Sequence, residues 1–284
     1  MRRREFITGI GSALLLKGTT TLDVAYAGSM TSVMEGPIRQ TAQRDLGIAI
    51  QGRAQGASGL AQLIVSDSIR PDVFISVTPS PMDLVMKARK AAKSVPIART
   101  EMVIAYSPIG RFAQNRNQPW WQILQEPGLR FGRTDPSTDP QGRNIIFVMQ
   151  LAARFYRQPD LARRILGPDV NAAQIFTEPS VQARLQSGQL DAASAYKIQP
   201  AAFGLPYVTL PEQINLGGSR PGAYEAASLT LNGKTYRPEP LVYYAAVLSG
   251  SSRSGAAARF VEWLQGESAQ SVFRRHGYDP SPLS

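Results

Sequence analysis

The sequence predicts an α/β fold in two lobes, with the second lobe inserted into the first. Three observations carry that reading. Short β-like runs alternate with helical stretches along the first third of the chain; the middle changes character; and the last third returns to an apolar strand and a long helix. Alternation of this kind builds a largely parallel sheet covered by helices.

The elements follow in order. "LDVAYAGS" reads as a strand ending in small residues, followed by the helical "MTSVMEGPIRQTAQRD". "IAIQGRAQGAS" is a second strand ending in a Gly/Ser loop, and it enters the helical "GLAQLIVSDSI". "PDVFISVTP" is a third strand and "MDLVMKARKAA" its helix. "MVIAYS" and, much later, "YYAAVLS" read as two strands crossing between the lobes. Between them lie a loop rich in Asn, Gln and Trp, the loop "GRTDPSTDPQGRN" with its helix, and "NAAQIFTEPSVQARLQSGQLDAASAYKIQPAA". The final helix, "GAAARFVEWLQGESAQSVFRRHG", places Ala258, Phe260, Val261 and Leu264 near one face, and Gly277 stops it. The resulting division is 22–104 plus 241–284 for the first lobe and 105–240 for the second.

Residues 1–21 read as an export signal. Arg2, Arg3 and Arg4 make a basic start, and Arg3-Arg4-Glu5-Phe6 fits the twin-arginine pattern. The apolar run from Phe6 to Leu16 is too short to span a bilayer as a helix, which takes ~20 residues. No A-x-A site precedes "LDVAYAGS", so cleavage is expected between Lys17 and Thr21, or the segment stays on as an anchor.

Composition removes whole classes of function. With 284 residues, 43% hydrophobic and 18% charged, the chain has ample material for a core. Its net charge of +10 favours acidic partners or small anions. The charge is scattered, without a run of five basic residues or a nucleic-acid-binding motif, so nucleic acid is not the expected partner. There is no cysteine, which excludes disulfides, thiolate metal sites and cysteine nucleophiles. The single histidine, His276, sits beside Arg274 and Arg275 and reads as a helix C-terminal cation, not a base. Histidine triads and imidazole metal sites go with it.

What remains points to an anion. In α/β sheets ligands bind where strand ends enter helices. Ser29 in "AGSM" and Ser58 in "GASGL" stand at two such ends, each beside glycine. Either serine alone reads as an N-cap; the pair, in consecutive β-α units, points to an oxyanion site. "GRTDPSTDPQGRN" runs into the apolar helix "IIFVMQLAARFY", and the unpaired N–H groups of a helix start attract anions. Asp135 and Asp139 in that loop are then either caps and turn residues or groups that an anionic ligand tolerates.

These pieces, with "PDVFISV", "ARLQSGQLDAASAYK", "LPEQINL" and "LTLNGKTYRPEPLVYYAAVLSG" in this order, resemble the periplasmic molybdate/tungstate-binding proteins, in the branch typified by archaeal tungstate-binding proteins. The resemblance runs from about Leu22 to Pro280. It implies a two-lobe type II solute-binding fold with a discontinuous first lobe. Such a protein acts as a monomer without cofactor or catalysis, closes on a small oxyanion, and hands it to the permease and ATPase of an ABC importer. Carried over, the serines match Ser29 and Ser58, the second-lobe amide matches Gln141, a further backbone contact falls near Ser180, and the tyrosine hydroxyl matches Tyr196. Molybdate only accepts hydrogen bonds, so hydroxyls and amides suit it, each such bond to a charged ligand being worth ~1.5–3 kcal/mol.

In that branch the metal is six-coordinate, an aspartate and a glutamate adding to the four oxo groups. Asp139 matches the aspartate. The glutamate position holds Ala195, before Tyr196, so a tetrahedral site is the expectation, with Asp139 a turn residue and Glu178 the alternative second carboxylate. Asp135, followed by Pro136, reads as structural. A receptor for another oxyanion or an organic acid, and a ligand-sensing subunit of a signalling system, are the other readings. An enzyme on this fold would use lysine, arginine or cysteine chemistry that has no counterpart here.

Overall fold

The computed structural model describes residues 20–218, 222 and 224–280. The leader up to residue 19 lies outside the described residues, while Thr20 and Thr21 already belong to the first strand, β1 (Thr20–Ala27). That strand joins β2 (Ile48–Gln55), β3 (Val73–Val77), β4 (Val95–Arg99) and, from the far end of the chain, β11 (Val242–Val247). Their order is β2-β1-β3-β11-β4. β1 runs parallel to β2 and β3, and β11 is antiparallel to β3 and β4. All five residues of β3 are buried, as a strand covered on both faces demands.

The connection after β1 is helical but irregular. A tight turn over Gly28–Met30 leads through Thr31–Val33 into a π-helical turn, Met34–Ile38, and then the helix Arg39–Leu46. Pro37 lies inside the π turn. Proline lacks the N–H that an α-helical ladder needs, and the wider turn accommodates that loss.

The second sheet holds β5 (Met102–Tyr106), β6 (Phe131–Gly132), β7 (Ala192–Tyr196) and β8 (Tyr207–Thr209), ordered β6-β7-β5-β8. The helix Pro140–Phe155 packs on it through an almost continuously buried run from Asn144 to Ala153. A hairpin of β9 (Leu229–Leu231) and β10 (Lys234–Tyr236) stands apart. Its turn is Asn232-Gly233, both with positive φ (50° and 75°), the conformation that this dipeptide favours between two strands.

The lobes join differently from the sequence expectation. "MVIAYS" and "YYAAVLS" do not cross; β5 lies wholly in the second sheet and β11 wholly in the first. The chain passes over between Arg99 and Met102, and a boundary at 104 falls inside β5. The return passes through Leu216 and Leu241. Outward and returning segments bond each other there: Thr100 N to Leu241 O at 3.0 Å, Met102 N to Asn215 O at 2.7 Å and Leu241 N to Leu216 O at 2.9 Å. Because these segments satisfy each other's backbone groups, the crossing needs only a residue or two, and the apolar runs are left for the sheets.

The final helix is also two. Gly266, with extended backbone, separates Ser254–Gln265 from Glu267–Arg275. The buried stripe of the first is Ala257, Phe260, Val261 and Leu264; Ala258 faces out, because the stripe follows i, i+3, i+4, i+7 from 257. Gly277 (φ +81°) ends the second, as expected. Among the described residues no helix is long and apolar enough to cross a membrane.

Candidate functional site

A cleft of about 300 Å³ opens where the strand ends of the first sheet face helix starts of the second lobe. The first lobe lines it with Ala27, Gly28 and Ser29 after β1, Gly56 and Ala57 after β2, and Val77 at the end of β3. The second lobe adds Thr138 to Gln141 at one helix start, Glu178 at another, and Tyr196 at the end of β7.

On the first-lobe side Ser29 does not cap a helix. Its Oγ lies 2.9 Å from the hydroxyl of Tyr243, a fully buried residue of β11. Burial raises the Tyr243 phenol far above its usual range, so both partners are protonated hydroxyls. Two protons shared between two oxygens leave one O–H without an acceptor in the pair, available to a ligand. Ser58 is exposed and outside the cleft lining; its neighbours Gly56 and Ala57 take the position expected of it. The first internal bond of the helix Ala57–Val65 is Leu60 N to Gly56 O, so the amides of the preceding turn lie before the ladder begins.

The second-lobe side differs from the expectation in three places. The Gln141 amide, assigned to the ligand, instead donates to Asp139 Oδ1 at 2.8 Å; Asp139 is the N-cap of the helix Pro140–Phe155. Ser180 is outside the lining and its hydroxyl accepts from Arg184 at 3.2 Å. Glu178, the first residue of the helix Glu178–Gln186, stands in the cleft where Ser180 was expected to contribute. Asp135 accepts from the Ser137 amide at 2.8 Å, a turn contact, as expected.

Tyr196 lines the cleft and is 4% exposed. Its hydroxyl accepts from Asn144 Nδ2 at 3.1 Å. Burial, with the nearby carboxylates of Asp139 and Glu178, holds the phenol protonated, so its own O–H is a donor for the cleft. Burial also pushes both carboxyls up from the usual range. For Asp139 this outweighs the Gln141 amide, the Thr134 hydroxyl and Arg143; for Glu178 it outweighs Gln199, and the charge of Asp139 adds to it. Each acid has one oxygen engaged, Asp139 Oδ1 by the Gln141 amide and Glu178 Oε1 by Gln199 at 2.6 Å. Among the described residues no hydrogen bond engages the second oxygen of either acid.

Gly142 fixes this geometry from behind. A Cβ there would lie 2.4 Å from the Thr134 carbonyl oxygen and 2.7 Å from Asp135 C and Pro136 N, so the helix start rests directly on the loop backbone.

The family model for bacterial extracellular solute-binding proteins matches residues 22–279. The chain belongs to that family. Among its solute-binding relatives, the molybdate/tungstate-binding protein WtpA of Thermococcus kodakarensis is 26% identical over 290 residues, covering 92% of this chain and 82% of the relative. The fold is that of the two-lobe periplasmic binding proteins. The periplasmic molybdate-binding protein of Azotobacter vinelandii superposes with a TM-score of 0.60 at 17% identity, over 93% of this chain and 99% of that one. The sulfate-binding protein SubI of Mycobacterium tuberculosis gives 0.64 at 14%, over 92% and 87%. Solute-binding proteins of different cargo thus share the architecture, and the cleft of each must supply its selectivity.

Sequence reasoning missed Gln199, Asn144 and Tyr243. Tyr243 sits in an apolar strand and reads as core; Asn144 and Gln199 are amides on helices, with no spacing that marks them.

Proposed function

We propose that this chain captures molybdate or tungstate in the interlobe cleft and delivers it to the permease and ATPase of an ABC importer, acting as a monomer outside the cytoplasm. The observation that carries the reading is the meeting, in one small cleft, of hydroxyl and helix-start donors with two carboxylates that each keep an oxygen free. Donors alone suit any oxyanion. Carboxylates oppose one, unless its central atom accepts further oxygen donors, as hard Mo(VI) and W(VI) do and the sulfur of sulfate does not. Glu178 in the cleft therefore favours a six-coordinate site, with Asp139 and Glu178 on the metal, over the tetrahedral site that Ala195 led one to expect. Ser29 and Tyr196 then donate to the oxo groups, as do the amides near Ala57. The Arg3-Arg4 leader supports export by the twin-arginine route.

Calorimetry with molybdate, tungstate, sulfate and phosphate tests the reading. Molybdate and tungstate should bind at least a hundredfold more tightly, a difference of ~2.7 kcal/mol. Tighter binding of sulfate or phosphate rejects it.

A further inference from the structure

Gln199 bonds three of the cleft residues without lining the cleft itself. It is 5% exposed, in the first turn of the helix Ile198–Phe203. Its Oε1 accepts from the Tyr196 amide at 2.7 Å, and its Nε2 donates to Gln141 Oε1 at 2.9 Å and to Glu178 Oε1 at 2.6 Å. Gln141 Nε2 continues the chain to the Ser194 carbonyl on β7, at 3.1 Å. The orientation of the amide is fixed by its neighbours: a backbone N–H can only donate and an ionised carboxylate can only accept. One side chain thereby joins the starts of two helices to the end of a strand. Among the described residues no other side chain hydrogen-bonds all three segments.

We propose that Gln199 is a positioning residue: it fixes the Glu178 carboxylate in the cleft and locks it to Gln141 and Tyr196, so that capture by the second lobe depends on an amide that does not touch the ligand. The inference rests on the proposed reading of the cleft and adds to it the residue that assembles its acidic wall.

Gln199→Glu keeps the shape and the acceptor for the Tyr196 amide but sets a carboxylate against Glu178. The dissociation constant for molybdate at neutral pH should be about tenfold or more above wild type. A purely structural role would lower the melting temperature and leave the dissociation constant unchanged, and an unchanged constant overturns the proposal. The exchange variant E178Q/Q199E swaps donor and acceptor across the same contact. It should recover the melting temperature lost in Q199E but not the affinity, since the acid is no longer at position 178; failure to recover the melting temperature counts against the pairing. Carbon-13 NMR of the unliganded protein separates this from the functional reading. In Q199M the Glu178 carboxyl resonance at fixed neutral pH should shift from its wild-type position as its Gln199 donor is lost, and an unchanged resonance overturns the proposal whatever the cargo. Wild-type protein that fails to bind molybdate overturns the functional reading alone.

Discussion

The two halves of the cleft are built from different chemistry. The first-lobe half offers a hydroxyl, backbone beside Gly56 and Ala57, and the methyls of Val77, with no carboxylate among its lining residues. The second-lobe half offers two carboxyl groups and a phenol, tied together by Gln141, Asn144 and Gln199. A donor wall holds any small oxyanion. An acidic wall repels one: two unit charges ~6 Å apart at an effective dielectric of ~20 oppose each other by about 3 kcal/mol. On the proposed reading, affinity for anions in general belongs to the first lobe and the choice among anions to the second.

The largest effect should come from breaking the acidic wall. Asp139→Asn or Glu178→Gln should each weaken molybdate binding by about a hundredfold or more, if carboxylate–metal bonds exceed the ~1.5–3 kcal/mol of a charge-assisted hydrogen bond. X-ray absorption of the loaded wild type should show four short metal–oxygen bonds and additional longer ones, which each variant reduces. Sulfate binding should improve in the same variants, because repulsion is removed and nothing is lost. Improved molybdate binding would return the site to the tetrahedral arrangement.

Breaking the donor wall should be milder and less selective. Ser29→Ala removes one hydrogen bond to the ligand and should weaken every bound oxyanion alike, by about tenfold. It also strips the buried Tyr243 hydroxyl of its partner, so unliganded stability should fall by about 1 kcal/mol, read by denaturant unfolding.

A pH series sharpens the contrast further. Asp139 and Glu178 have raised proton affinities in the folded chain, so the native state binds more protons than the unfolded one in the window above ordinary carboxyl values. The contribution of these two groups to unliganded stability thus rises as pH falls from neutral through their raised values, and levels off below the unfolded-state values. Molybdate affinity should move the opposite way, since the metal requires ionised acids. Melting curves with and without molybdate should converge on acidification. Parallel curves would remove the carboxylates from the ligand. The smallest effects belong to residues beside the cleft: Ser58→Ala and Ser180→Ala should change affinity by no more than about twofold, as neither side chain lines it.

Much of the first lobe was legible because strand-end glycine and serine advertise themselves, and the β-α alternation has few folded solutions. Ser29, Asp139, Gln141 and Tyr196 all reach the cleft. What was not legible is which atom each spends on whom. The Gln141 amide is bonded to Asp139, and whether a helix-start N–H meets its own cap or a ligand depends on a side-chain rotamer, not on the residue order. Ser180 and Glu178 are two residues apart at one helix start, a difference of about 200° around the axis, so a one-turn argument could not choose between them. The crossing points were misplaced for a related reason. Apolar runs mark what is buried, and the crossings, being short and mutually bonded, leave no run at all.

Gly142 carries a consequence for how this chain can vary. Every other amino acid brings a Cβ, and at 142 that atom meets backbone, which has no alternative rotamer. The position does not line the cleft, yet it is closed to replacement. Selection acting on cargo choice can trade side chains at 139 or 178 and leave the frame intact, whereas a change at 142 moves the frame that both depend on.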